Sequence, residues 1–186
     1  KEFIAYAKAN PGKVNAVTVG LGTIQHLVIE LFMDASGTQF TVVPYKGGGP
    51  ANADLVAGVV QISFNNPAGF TQLIKAGKLK GIAISGDKRN PALPDVPTFA
   101  ESGMKDFVAG TWYSLFAPGA TPRDVVQKLH TSVAKAQANK EVQSIFAKQA
   151  IDLFPSSSAA THELLRRELD IWGKVVKEFD VKPEAD

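Results

Sequence analysis

An α/β fold, with an open and mostly parallel sheet flanked by helices and followed by C-terminal helices, is what this sequence predicts. Three observations carry it. Over the first 84 residues, β-branched apolar runs alternate with amphipathic helical stripes, as in strand–helix–strand units. The strand-like runs end in loops rich in glycine or asparagine, each ahead of a helical pattern. From about residue 118 the strand signal stops and only apolar stripes at three- and four-residue spacing remain.

Residues 1–10 place Phe3, Ile4 and Ala7 on one helical face, and Pro11-Gly12 ends the helix. Residues 14–19 read as a strand, Gly20-Leu21-Gly22 as a turn, and Thr23 as a cap for the next helix. That helix carries Ile24, Leu27, Val28, Leu31 and Phe32 and stops at Ser36-Gly37. Residues 39–43 form a second strand, which runs into Lys46-Gly47-Gly48-Gly49. A short helix is expected from Pro50 to Ala57, closed by Gly58. Residues 59–64 are apolar on both faces, the pattern of a buried parallel strand, broken by Asn65-Asn66-Pro67. A helix marked by Phe70, Leu73 and Ile74 ends at Gly77, and residues 79–84 read as a further strand.

Residues 85–97 are a polar, proline-rich connector. Thr98-Phe99-Ala100-Glu101 has capping-box spacing and opens a short helix ended by Gly103. Residues 107–116 read as a long strand. Three helices follow. The first starts at Thr121-Pro122-Arg123-Asp124 and carries Val126, Leu129, Val133 and Ala136. The second spans 139–149 with Val142, Ile145 and Phe146 inward. The third is capped by Ser157 or Ser158, and its stripe is Leu165, Leu169, Trp172, Val176 and Phe179.

Length and composition narrow the function. A chain of 186 residues makes one or two small domains; 45% hydrophobic and 20% charged residues are ordinary for a globular protein. A net charge of +2, with scattered Lys and Arg, does not suggest nucleic acid as a partner. With no cysteine, disulfides and thiolate metal sites are excluded. No apolar run reaches the length of a membrane span, and no signal peptide is read. The helical pattern begins at residue 1, so the first residues are expected inside an element rather than ahead of one.

In an open parallel sheet, ligands sit beyond the carboxyl ends of the strands. The three loops expected there contain Gly20, Gly22, Thr23, Gln25 and His26; Lys46, Gly47, Gly48 and Gly49; and Asn65 and Asn66. The glycine triplet is the most specific signal. Three residues without Cβ, ahead of a helix start, let main-chain N–H groups converge on an anion such as a carboxylate or phosphate. Gly20-x-Gly22 lacks a third glycine at dinucleotide spacing, and a plain tight turn is its simpler reading. His26 is open between a capping or surface histidine and a ligand contact. Lys46 reads first as a solvated residue at the cleft rim. Asn65 and Asn66 either cap the following helix or donate amide hydrogen bonds to a bound oxygen.

Catalytic readings fare poorly. No acid, base or nucleophile flanks the glycines, no Gly-Lys-Ser/Thr follows them, and Gly-x-Ser-x-Gly is absent. His130 and His162 lie in the helical tail, and no histidine pair has metal spacing. The expectation is a holder rather than a converter: no cofactor, no metal, no catalytic residue.

Four motifs in order along nearly the whole chain carry a resemblance. They are Val43-Pro44-Tyr45-Lys46-Gly47-Gly48-Gly49-Pro50-Ala51, Ala76-Gly77-Lys78-Leu79, Pro91-Ala92-Leu93-Pro94-Asp95-Val96-Pro97-Thr98 and Trp172-Gly173-Lys174-Val175-Val176. The chain resembles the Bug family, the extracytoplasmic solute-binding proteins of tripartite tricarboxylate transporters. That resemblance implies a periplasmic-binding-protein-like fold of two α/β lobes, with a small carboxylate clamped between them and delivered to membrane components of a transporter. It places the three loops above in the cleft of the second lobe. Where family members often carry an aspartate, this chain has Asn65, a change that would ease binding of an anion.

The resemblance also implies that residues 1–106 are the second lobe without its first strand, and that residues 107–186 are a return strand and helices belonging to the first lobe. On this expectation the chain is a fragment with half a cleft, and the exposed apolar faces of its tail could drive self-association. Two rivals stand beside it. An effector-sensing domain of a transcription regulator would need an attached helix-turn-helix. A nucleotide-binding α/β enzyme would need an acidic residue after a glycine-rich fingerprint.

Overall fold

The computed structural model of the chain describes residues 1–107 and 109–182. Its centre is a three-stranded parallel sheet of β1 (Val14–Thr18), β2 (Phe40–Pro44) and β3 (Ile62–Ser63), in the spatial order β2-β1-β3. β1 pairs with β2 from Val14 opposite Phe40 to Thr18 opposite Pro44, and with β3 at Ala16–Ile62 and Val17–Ser63.

β1 is central because both its faces are apolar. Alternate side chains of a strand point to opposite sides. Val14 and Ala16 enter one core with Ala7, Ile29, Phe32, Phe40, Ile62 and Phe107, while Val17 enters another with Ala51 and Val60. The first core holds helices α1 (Glu2–Ala9) and α2 (Ile24–Ser36); the second holds α3 (Gly48–Ala57). The helices thus lie on opposite faces, as right-handed crossovers from β1 to β2 and back across to β3 require. Phe32 organises the larger core, its ring 5.0 Å from Phe64, 5.7 Å from Phe107 and 5.9 Å from Phe40.

Several expected elements differ. α3 starts at Gly48, two residues before Pro50, so two of the three glycines lie in its first turn. The strand expected over 59–64 shrinks to Ile62–Ser63. Left-handed Gly58 ends α3, and the Val59 and Val60 N–H groups turn back to Asp54 O at 2.9 and 3.5 Å, so Val59 is exposed rather than paired. After a single 3-10 turn at Pro67–Gly69, α4 is only Thr71–Lys75. Residues 79–84 form no strand. Ile84 alone makes a bridge, to Thr98, and the side chains of Lys78, Lys80 and Ile82 are exposed. The Thr98 capping box does form: Thr98 N donates to Glu101 Oε2 at 2.7 Å, and Glu101 N to Thr98 Oγ1 at 3.1 Å. It closes one turn, not a helix, because Pro97 and left-handed Gly103 leave no room to propagate.

The strand expected over 107–116 is not observed among its described residues; Val108 lies outside them, as do residues 183–186. A strand needs a ladder partner, and Tyr113 and Leu115 are 83% and 81% exposed. Beyond it come α5 (Arg123–Ala138), α6 (Lys140–Lys148) and α7 (Ser158–Glu178). α7 packs on α2, where Leu27, Val175 and Val181 form a small core flanked by Leu31, Trp172 and Phe179. α5 and α6 pair with each other, and neither has a buried residue.

Candidate functional site

Because all three strands are parallel, the loops after β1, β2 and β3 leave from the same edge of the sheet. The order β2-β1-β3 makes β1 a switch point: the chain leaves it toward β2, then crosses back to β3 on its other side. Crevices for ligands open at such points.

The first loop is held by its own side chains. Gly20 and Gly22 both have positive φ, 145° and 77°. Thr18 Oγ1 donates to Gly20 O at 3.0 Å, and Thr23 Oγ1 to the same oxygen at 2.8 Å. Val19 N donates to Gln25 Oε1 at 3.2 Å, and Gly22 N to His26 Nδ1 at 3.1 Å. His26 Nε2 lies 3.3 Å from Glu30 Oε1. Thr23, Gln25 and His26 therefore grip the loop itself. Thr23 sits at the N-cap of α2, yet its hydroxyl turns backwards, and no side chain caps that helix. The first-turn N–H groups of α2 are left without a side-chain partner.

The second loop has the same character. Gly47, at the N-cap of α3 with φ 104°, supplies no side chain, and its own N–H closes a turn onto Tyr45 O at 2.9 Å. Gly48 and Gly49 follow as the first two residues of the helix, both exposed, and a Cβ at either would meet nothing within 4 Å. Lys46 is exposed beside them. Behind the loop, Tyr45 N donates to Thr18 O at 2.8 Å, and Tyr45 Oη donates to Asp54 Oδ2 at 2.6 Å. That hydrogen bond, with burial and the Asp54 charge, raises the phenol pKa above its ordinary value.

The third loop is occupied differently. Asn66 Oδ1 accepts from Ala68 N at 2.9 Å and caps the 3-10 turn, while Asn65 Oδ1 accepts from Asn66 N at 2.8 Å. The carbonyl oxygens of both side chains are thus engaged locally. Elsewhere, α6 and α7 carry side-chain caps, from Asn139 and Ser157. α2 and α3, which follow the paired strands β1 and β2 on opposite faces of the sheet, carry none; α1, α4 and α5 also lack them.

Two hollows among the described residues lie elsewhere. One of about 480 Å³ opens at the opposite edge of the sheet, between Lys8, Pro11, Asp34, Gln39 and Phe179. Another of about 300 Å³ sits between Asn90, Gln137, Gln143 and Leu153 in the tail. The loop tips form an open surface instead, with residues 46–50 all exposed. Among the described residues no group of three or more His, Asp or Glu could hold a metal ion, and no helix is long and apolar enough to cross a membrane. His130 Nε2 lies 3.0 Å from Ser156 O, and His162 Nδ1 lies 2.7 Å from Ser158 O.

The internal hydrogen bonding of Thr23, Gln25 and His26 was the feature hardest to foresee. The available signals were Thr18 five residues before Thr23, and Glu30 four residues after His26.

Comparison with known proteins adds the following. The model of the tripartite tricarboxylate transporter family receptor matches residues 1–181. Protein BugT of Bordetella pertussis is 35% identical over 180 residues, which are 97% of this chain and 55% of that protein. Among solved structures, R. palustris Rpa4515 with adipate superposes with a TM-score of 0.88 at 30% identity, over 98% of this chain and 61% of that one. MatC of Rhodopseudomonas palustris with bound malate gives 0.82 at 29% identity, over 94% of this chain and 60% of that one. The chain thus spans little more than half the length of these relatives.

Proposed function

Because the chain belongs to the tripartite tricarboxylate transporter receptor family, we propose that it captures a small carboxylate for transport, on the edge where β1 and β2 hand over to α2 and α3. The observation that carries this reading is the pair of uncapped helix N-termini rising from adjacent parallel strands. Their first-turn N–H groups lack intrahelical partners and sit at the positive ends of two helix dipoles. The Gly48 and Gly49 amides have no Cβ in front of them. A carboxylate bound there accepts charge-assisted hydrogen bonds, each contributing about 1.5–3 kcal/mol. Lys46 at the rim adds long-range attraction.

The bound adipate and malate of the two structural relatives support a dicarboxylate as the class of solute. Gly20, Gly22, Thr23, Gln25 and His26 would shape the first anion loop, Lys46 to Gly49 the second, with Asn65 and Asn66 offering their side-chain amide donors from the third. Residues 1–106 would be one lobe of a two-lobed receptor, and the helices from 107 onward would cover the other. The solute would then favour the closed arrangement by touching both lobes. Solute-binding proteins of this family are periplasmic, and we place this chain there, with membrane components of the transporter as partners. In isolation the exposed tail faces would promote self-association.

An NMR titration of this chain with adipate, malate, citrate, phosphate and glucose at millimolar concentration tests the reading. Shifts at the Gly48, Gly49 and Ile24 amides with the carboxylates are expected. Shifts with phosphate or glucose, and silence with all three carboxylates, would reject it.

A further inference from the structure

Resting on the carboxylate reading, the geometry points to His26 as a positioning residue for the first loop, competent only as a neutral imidazole with its proton on Nε2. A main-chain N–H can only donate, so the 3.1 Å contact from Gly22 N requires an unprotonated Nδ1. The neutral ring then carries its proton on Nε2, which faces Glu30 Oε1 at 3.3 Å. One partner fixes the tautomer and the other receives the service of it. The ring side chain is only 11% exposed, unlike a solvated residue of a cleft rim.

The loop needs such a hold. Gly22 has a φ of 77°, a conformation with no preference of its own over the alternatives open to glycine. Four side chains restrain the turn, those of Thr18, Thr23, Gln25 and His26, and His26 is the titratable one. His26 lies at the third position of α2 and reaches back past the N-cap, a variant of the capping box in which an imidazole replaces the usual Glu or Gln. It leaves the first-turn amides of α2 free.

A second proton on the ring lands on Nδ1 and faces the Gly22 N–H, donor against donor. Glu30 keeps its bond to Nε2 throughout, so protonation releases Gly22 and not Glu30. Of the charged groups on the neighbouring elements, Glu168 of α7 is half-buried and accepts from Trp172 Nε1 at 2.8 Å. α7 meets α2 through Trp172, Val175 and Phe179; its Lys174 and Lys177 are exposed, as are Asp180 and Lys182, which pair with each other at 3.1 Å. β1 contributes the neutral Thr18, and Lys46 of the second loop is exposed.

The sign separates this role from direct ligand contact. A cationic His26 touching a carboxylate would strengthen binding on protonation. A positioning acceptor weakens it, by roughly two- to tenfold for one ordinary hydrogen bond.

Long-range nitrogen–proton NMR of this chain between pH 8 and pH 5, without ligand, gives the first test. The Nε2–H tautomer is expected at the basic limit, with the Gly22 amide shifting at the same midpoint as the ring. In His26→Asn the side-chain oxygen stands where Nδ1 stood, so Gly22 stays protected from exchange at every pH; in His26→Leu it does not. An Nδ1–H tautomer, or a Gly22 amide indifferent to the ring, overturns the proposal. Malate titrated over the same range should bind more weakly as the ring gains its proton, and without that dependence in His26→Asn. Binding that strengthens or stays flat overturns the link to the ligand. If the tautomer is as expected and malate never binds, the carboxylate reading fails and the placement of His26 stands.

Discussion

Up to residue 106 the apolar stripes are covered by the chain's own sheet and helices, whereas from α5 onward most of them face solvent. Val14, Ala16 and Ile29 are 1%, 0% and 0% exposed. Leu129, Ile145 and Leu169, which lie on equally regular stripes, are 53%, 48% and 64% exposed, and Phe154 is 71%. The accessible surface shows the consequence: 12457 Å² for a chain of 19.8 kDa, where a compact monomer of that mass exposes about 8,600 Å². The excess is larger than most stable interfaces bury. Periodicity tells that a helix face wants cover; it does not tell which chain segment supplies it.

The contrast can be broken most sharply in the two cores. Phe32→Ala removes a side chain 4% exposed at the hub of four aromatic contacts and should cost about 3–5 kcal/mol in urea denaturation followed by circular dichroism. Leu129→Ala, the same kind of truncation in α5, should change stability by no more than about 0.5 kcal/mol. Equal effects would erase the distinction between the two regions.

If the exposed faces pair between copies, replacing Leu115, Phe116 and Leu129 together with serine should weaken self-association at least tenfold. Burying each such side chain contributes about 1.5–3 kcal/mol, and sedimentation velocity across a concentration series reads the change. A smaller effect is expected where the regions are tied together. Asn90 is 8% exposed; its Nδ2 donates to Ala150 O at 3.2 Å and its Oδ1 accepts from Ala92 N at 2.8 Å. Asn90→Ala leaves those groups unpaired and should cost about 1–3 kcal/mol, with the loss in hydrogen-exchange protection concentrated around Ala150.

The mildest test is electrostatic. The Arg89 guanidinium, then the Thr98 N–H, hold the Glu101 carboxyl below its ordinary pKa. A depressed folded pKa means stability that is present above the ordinary carboxylate range and lost as pH falls through the lowered value. Thermal melts from pH 7 downward should therefore fall less steeply in Glu101→Gln than in the parent. Parallel curves would show that the Arg89–Glu101 pair contributes nothing there, as many exposed pairs do.

How much was legible in the sequence follows the same division. The strands and loops of residues 14–50 could be read because each hydrophobic run is local and both of its neighbours lie in the chain. Residues 79–84 and 107–116 look equally strand-like, but a strand exists only with a ladder beside it, and sequence names no partner. Gly47 to Gly49 were legible as a bare main-chain start to a helix because absence of a side chain is itself the signal. Thr23, Gln25 and His26 were harder. Whether a polar side chain faces a guest or its own backbone depends on rotamers that spacing does not encode; here all three face the backbone.

One measurement reaches the central claim, that main-chain amides at the start of α3 hold the solute. Gly48→Pro deletes one of those N–H groups while suiting the first helical position, and Gly47 before it, with φ 104° and ψ 167°, is outside the α region that a following proline disfavours. A Cβ at Gly48 would meet nothing within 4 Å. Malate titrated into the parent and the variant by NMR should show an affinity about ten- to hundredfold lower in Gly48→Pro, with an unchanged melting temperature. Equal affinity in the two proteins would contradict the account.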